Sequence, residues 1–354
     1  LGVTEVVAGL SVTAPGVIAA IAAPAVAVLA GDIDRRIVMV TLTAAIVLSN
    51  VIAAFSPNFG IFLVGRLILG LAVGGLWSFA VAIARRLVAE NAGARATSII
   101  SAGISAGTVF GMPVGAVLGD VTGWRLVFAA NAAISLVVLL AQFRFLPRLA
   151  TVIRIDVKLL IAFAKIRVAA IGLLAAGLVA GGHFIAYTYL EPYLRSTLGL
   201  GRTGIGLALA GYAVMGIIGA FLGEWVAKFD VHRAFAAASA VLGVSVLAAS
   251  WTAGSPAFAI AMVMVWGTAF GAIPVCVQIW MFNASAELYE AGSALVVSAF
   301  QISLAAGAAL GGILVDYADI GTAFVVASLV SLAGGALAVS ATPSARPPEQ
   351  TGLA

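Results

Sequence analysis

The chain has 354 residues, 63% hydrophobic and only 9% charged, with 18 Lys and Arg against 14 Asp and Glu for a formal net charge of +4. A water-soluble domain carries roughly a quarter of its residues as charges, so this composition excludes a soluble fold and points to a lipid bilayer as solvent. The basic residues lie between apolar runs, which excludes nucleic acid as a partner, and the lone Cys276 excludes an internal disulfide.

Apolar runs of about 20 residues mark membrane-spanning helices. They fall at about 8–30, 37–56, 60–84, 96–119, 123–145, 167–191, 203–227, 234–252, 256–281, 292–315 and 320–340, giving an all-α integral membrane protein with eleven spans. Residues 1–145 hold five spans, 146–166 form a connection, 167–341 hold six, and 342–354 are a Pro-rich polar tail. In the connection, Arg154 and Lys158 stand one turn apart among the apolar Val152, Ile155, Leu159 and Ile161. That pattern reads either as a short helix on the inner leaflet or as a plain basic linker. No leader peptide is expected. Lys and Arg concentrate in alternate loops, so the rich side is expected to be cytoplasmic, with residue 1 outside, the C-terminus inside and a cell (inner) membrane as the location.

An internal repeat organises these spans. "GMPVGAVLGD" (Gly111, Gly115, Asp120) matches "GAALGGILVD" (Gly307, Gly311, Asp316) at an offset of 196, as Asp34 matches Asp230; Gly70 and Gly74 match Gly267 and Gly271 at 197. Carrying the span at 167–191 back by that offset lands before residue 1. The first half is therefore expected to lack its opening helix, and the two halves to run in parallel.

The stretch "GISAGTVFGMPVGAVLG" sets Gly103, Gly107, Gly111, Gly115 and Gly119 four residues apart, with Pro113 among them. Each glycine costs a soluble helix about 1 kcal/mol. In lipid, helices associate through van der Waals packing, and a face without side chains lets backbones approach. One reading is a tight structural helix pair. The other is a smooth, kinked surface on which the halves slide, with Gly307 and Gly311 as a shorter counterpart.

Several segments resemble the major facilitator superfamily. "LAGDIDRRIVMV" is similar to a degenerate form of its loop between helices 2 and 3: Arg35 and Arg36 match the basic end, while Gly31 replaces the family's Asp and Asp34 a later Gly. "GRLILGLAVGG", with Arg66, resembles the helix-4 motif, and the glycine stripe with Pro113 resembles the antiporter motif of helix 5. "GHFIAYTYLEPYL" and "WGTAFGAIPVCVQIW" look like helices 7 and 10 of arabinose-efflux-permease-like members of the 12-span drug:proton antiporter branch. The resemblance implies two pseudo-symmetric six-helix bundles that rock about a midplane site, with the first helix absent here. The spans are then helices 2–6 and 7–12, and helices 1, 4, 7 and 10 line the cavity. It also implies an acidic partner for Arg66 on the absent helix.

Charge within the membrane is costly, so ionisable residues there are site candidates. Arg66 reads either as a modulator of a carboxylate's proton affinity or as a snorkelling residue. His183, Tyr187 and Glu191 share one helical face, where His183 is suited to carry a proton, line the cavity or simply pack. Trp77, Trp266, Gln278 and Gln301 are further cavity candidates, while Trp124, Trp251, Trp280 and Tyr317 read as interfacial anchors. Glu224, Asp230 and Arg233, mirrored by Asp34, Arg35 and Arg36, form either a cytoplasmic gate or solvated helix-end clusters.

No P-loop, HExxH, Cys/His cluster or Gly-x-Ser-x-Gly is present, so neither a metal nor another cofactor is expected and the protein does not read as an enzyme. The expected activity is proton-coupled efflux of a small organic molecule such as a drug, sugar or nucleoside by a monomer in the bilayer. An inward facilitator or symporter, and a non-transporting sensor of the same fold, stand as alternatives.

Overall fold

The computed structural model describes the backbone of residues 5–251 and 255–341; the side chains of residues 5–12, 90, 105, 108–110, 112–113, 116–117 and 120 are outside the description. The expected kink at the Pro113 ring, the Asp120 match and the tail at 342–354 therefore lie outside the described residues. The helices are α1 (Glu5–Ala30), α2 (Arg35–Phe55), α3 (Phe59–Arg86), α4 (Gly93–Thr122), α5 (Trp124–Phe145), the short α6 (Val157–Lys165) and α7 (Arg167–Tyr187). A single turn, α8 (Leu190–Pro192), runs into a π turn at Tyr193–Thr197; α9 (Arg202–Ala227), α10 (Val231–Trp251), α11 (Pro256–Ala284), α12 (Tyr289–Tyr317) and α13 (Ile320–Val339) complete the set. Ten of the described helices are long and apolar enough to cross a bilayer, and α4, at 30 residues, is the eleventh long helix. Polar caps set several starts: Asp34, Asn58, Asp156 and Asp319 each accept a backbone N–H from the first turn of α2, α3, α6 and α13.

Helix pairing follows the repeat. In the first group α3 packs on α1 and α2, and α2 on α5; in the second α11 packs on α9 and α10, and α10 on α13. The close contacts repeat residue for residue. A Cβ on Gly70 or Gly74 of α3 would run into the backbone of Pro15 or Ala19 on α1, and one on Gly267 or Gly271 of α11 into that of Tyr212 or Gly216 on α9. All four residues are displaced by the same 197 positions (Gly70 to Gly267, Gly74 to Gly271, Pro15 to Tyr212, Ala19 to Gly216). Helices this close gain the dispersion contacts that hold helices together in lipid. The two groups meet where α12 packs on α1 and α3, and where α4 packs on α9 and α11.

The glycine stripes differ from the expectation of one sliding surface shared by the halves. Gly307 and Gly311 press on the backbone of Gly181 and Ile185 in α7, within their own group. On α4, nothing among the described residues lies within 4 Å of a Cβ placed on Gly103, Gly107 or Gly111, and Gly115 and Gly119 face only Val127. The reason is geometric: α4 meets the second group elsewhere, through Arg95 and Ser98, which bond Glu224.

The connection contains a short helix, but that helix holds only Lys158, Leu159 and Ile161 of the expected pattern, while Val152, Arg154 and Ile155 precede it. The connection's first part runs extended along the α1–α2 turn: Arg35 N donates to Leu149 O, Leu149 N to the Asp34 carboxylate and Thr151 Oγ1 to Ile33 O. Only from Val157 does it coil, and α6 buries Leu160 and Phe163. Phe163 fills the notch left by Gly292 on α12. Trp280, expected as an interfacial anchor, is instead fully buried and donates to Val168 O at 3.1 Å.

Candidate functional site

Four-residue spacing brings an aromatic cluster together. His183 and Tyr187 on α7 stack at 4.9 Å, and His183 also stacks on Phe270 of α11 at 3.4 Å. Trp266, one turn before Phe270, donates its indole N–H to His183 Nδ1 at 3.0 Å. Tyr212 of α9 lies edge-on to Trp266 at 5.6 Å. His183, Tyr187, Tyr212 and Phe270, with Phe184, Gly216, Gly267 and Gly271, line a cavity of about 200 Å³ that Ile104 of α4 in the first group also lines. The cavity thus lies between the groups.

Its polar chemistry is sparse and directed. An indole N–H only donates, so Nδ1 of His183 is an acceptor and the neutral ring carries its proton on Nε2. A proton arriving at Nδ1 must first displace Trp266. The Tyr212 hydroxyl is buried without a hydrogen-bond partner among the described residues.

The other expected cavity residues are dispersed. Trp77 is half-buried on α3 and does not border this cavity. Gln278 accepts from Tyr289 Oη at 2.9 Å and donates to Ser293 Oγ at 3.5 Å, near the basic end of α11. Gln301 of α12 donates to Gly16 O of α1 at 3.5 Å, across the groups. Glu191 leaves the His183 face: α7 stops at Tyr187, and Glu191 stands half-exposed in α8, paired with Arg195. Pro192 contributes to the break, because it has no N–H to bond the carbonyl four residues back, at Thr188.

Arg66 sits apart from the cavity, between α2, α3 and α5. It donates to Ser49 Oγ at 3.3 Å and lies over the rings of Phe128 at 4.7 Å and Phe62 at 5.4 Å. Its Nε is buried without a partner, and no ion pair to it occurs among the described residues.

Ion pairs join the groups at the basic end. The fully buried Arg35 donates to Glu290 of α12 at 2.6 and 2.9 Å, and Arg86 approaches the same carboxylate at 3.9 Å. Glu224 accepts from Ser98 at 2.6 Å and pairs with Arg95 at 3.4 Å and Lys228 at 3.3 Å. Of the six residues expected here, Arg35 and Glu224 therefore bridge the groups. Asp34 caps α2, Arg36 donates to Phe143 O, and Asp230 caps α10 and pairs with Arg233, all within one group. Burial raises the Asp34 carboxyl, but the Leu149 and Arg36 amides and the Arg148 and Arg36 charges outweigh it and hold it below its ordinary value. Glu290, Arg95, Ser98 and Tyr212 escaped sequence reasoning. For Tyr212 a signal existed, since it lies one turn from Gly216, the two being the repeat mates of Pro15 and Ala19.

Comparison with known proteins adds five findings. The family model described as Major Facilitator Superfamily matches residues 1–287 and 172–353. The transcription regulatory protein OpdE of Pseudomonas aeruginosa is 31% identical over 320 residues, 89% of this chain and 80% of that protein. The purine ribonucleoside efflux pump NepI of Escherichia coli is 29% identical over 316 residues, again 89% and 80%. Among solved structures, the fucose:proton symporter FucP of E. coli superposes with a TM-score of 0.78 at 20% identity, covering 96% of this chain and 92% of that one. The human organic anion transporter MFSD10 gives 0.78 at 20%, covering 94% and 83%.

Proposed function

The chain belongs to the major facilitator superfamily, and from that premise we propose that this multi-pass membrane transporter exports a small flat organic molecule of purine-nucleoside type in exchange for protons. The observation that carries the proposal is the ring-lined cavity between the groups, with the unpartnered Tyr212 hydroxyl at its wall. At about 200 Å³ it is smaller than the roughly 300–1,000 Å³ of drug-sized sites, which favours a small solute over a bulky drug. Stacking on Tyr187 and Phe184 suits a nucleobase face. The relationship to an efflux pump for purine ribonucleosides supports the same class and direction.

In this reading residues 1–145 and 167–341 are the rocking bundles of a monomer, 146–166 connect them, and the basic end and the C-terminus are cytoplasmic in an inner membrane. The ion pairs of Glu290 and Glu224 then close the cytoplasmic side. Arg66, with its orphaned Nε, lowers the proton affinity of a carboxylate brought near it, while His183 and Glu191 are secondary proton candidates. A second reading, a sensor that binds without transporting, is favoured by the relationship to a protein named as a transcription regulator.

Inside-out proteoliposomes with an acidic lumen test both. Export predicts accumulation of radiolabelled inosine or adenosine together with luminal alkalinisation seen by a pH dye. Saturable binding without flux supports the sensor, and neither binding nor flux removes the nucleoside assignment.

A further inference from the structure

Arg85, at the basic end of α3, is a cation that the cluster at Glu290 does not use. Its guanidinium carbon lies over the ring of Phe282 on α11, 3.8 Å from the centroid, and a Cβ on Gly93 would stand 3.1 Å from it. It reaches Thr97 Oγ1 at 3.5 Å, its Nε is buried without a partner, and no carboxylate pairs with it among the described residues. The pair borders a cavity of about 430 Å³ that opens at the basic end and carries Arg86, Glu287 and Glu290 on its rim.

The repeat gives this contact a special position. α3 begins at Phe59 and α11 at Pro256, 197 residues apart, and the glycine contacts keep that offset. Carried along the helices, it makes Phe282 the mate of Arg85. In a twofold arrangement a residue that touches its own mate lies on the axis. The Arg85–Phe282 contact therefore marks the central axis, along which a path between the groups runs. Phe270 and Phe282 are twelve residues apart on α11, which places the contact about 18 Å from the aromatic cavity.

We propose that Arg85 and Phe282 form the cytoplasmic plug of the transport path, and that Arg85 makes the path selective against cationic solutes. Phe282 closes the axis sterically. Arg85 adds a charge with no carboxylate paired to it among the described residues, beside a cavity that Arg86, Glu287 and Glu290 also line, and like charge is repelled there. Glu290 is taken up by Arg35 and Arg86, and the cations Arg35, Arg85 and Arg86 outnumber the carboxylates of Glu287 and Glu290. Neutral and anionic solutes pass the open plug and cations are held back, which fits a neutral nucleoside substrate. The inference rests on the transport reading above, but its test needs no substrate.

The experiment places a single reporter thiol at the cavity, Ile104→Cys in a Cys276→Ser background, in inside-out vesicles. Anionic 2-sulfonatoethyl and cationic 2-(trimethylammonium)ethyl methanethiosulfonate are added from the cytoplasmic face. Their rate ratio, normalised to a free thiol, cancels how often the protein opens. The parent is expected to favour the anion by about tenfold. Arg85→Gln should abolish the preference, Arg85→Lys should keep it, and Phe282→Ala should raise both rates while leaving the ratio unchanged. An unchanged ratio in Arg85→Gln overturns the charge filter. Failure of either reagent to reach the reporter, in every variant, overturns the placement of the plug on the path; nucleoside flux is a separate measurement.

Discussion

Tyr212 holds a buried hydroxyl with no hydrogen-bond partner among the described residues, a destabilising arrangement that a ligand acceptor would relieve. Tyr212→Phe should leave the melting temperature unchanged or slightly raised and weaken nucleoside binding about fivefold to tenfold, read by competition binding and differential scanning together. A fall in both would mean the ring, rather than the hydroxyl, matters. Asp34 acts oppositely, as a carboxylate fully used by its surroundings: it caps α2 and ties down Leu149. Asp34→Ala should cost about 1 kcal/mol. Because the folded-state pKa is depressed, that contribution is fully present above the ordinary carboxylate value and fades as pH falls through the lower folded value. Unfolding curves of both proteins in detergent, from about pH 7 down to about pH 3, should therefore converge only at the acid end.

At the scale of helices, the duplicated joints make matched predictions. Gly74→Leu and Gly271→Leu overpack equivalent contacts and should each destabilise by at least about 1–3 kcal/mol, to a similar extent. Gly111→Leu meets nothing within 4 Å among the described residues, so it should insert and melt normally. Loss of transport in that variant would then report a face used in another stage of the cycle, whereas normal transport would end the sliding-surface proposal. The offset between the halves was readable because glycine is the residue type least replaceable where backbones touch. What touches what was less readable: the sequence pairs Gly111 with Gly307, yet nothing in it tells that one face is occupied by α7 and the other is open. Long apolar runs located the spans, since lipid imposes their length, but the end of α7 at Tyr187 depended on Pro192 and was misplaced by four residues.

Across the whole molecule, the ion pairs that join the groups at the basic end link charges far apart in the chain. Arg35 and Glu290 are 255 residues apart, and composition cannot reveal such a pair, because an arginine at a helix start equally suits a solvated end. Removing Glu290 strands the buried Arg35, at about 3 kcal/mol for an uncompensated charge, and opening the end relieves that cost. Glu290→Ala should accordingly raise cytoplasmic labelling of Ala82→Cys, at the edge of the 430 Å³ cavity, by about tenfold; unchanged labelling would show that the pair is not part of the closure. The connection between the bundles also limits this motion. Its chain is lashed to the α1–α2 turn as far as Arg154, which pairs with Asp32, and α6 rides on Gly292 of α12 from Asp156 onward. Only Ile155 lies between these anchors, about 7 Å of taut chain, so in the proposed cycle this leash caps how widely the inner mouth gapes while the outer mouth has no such restraint from it.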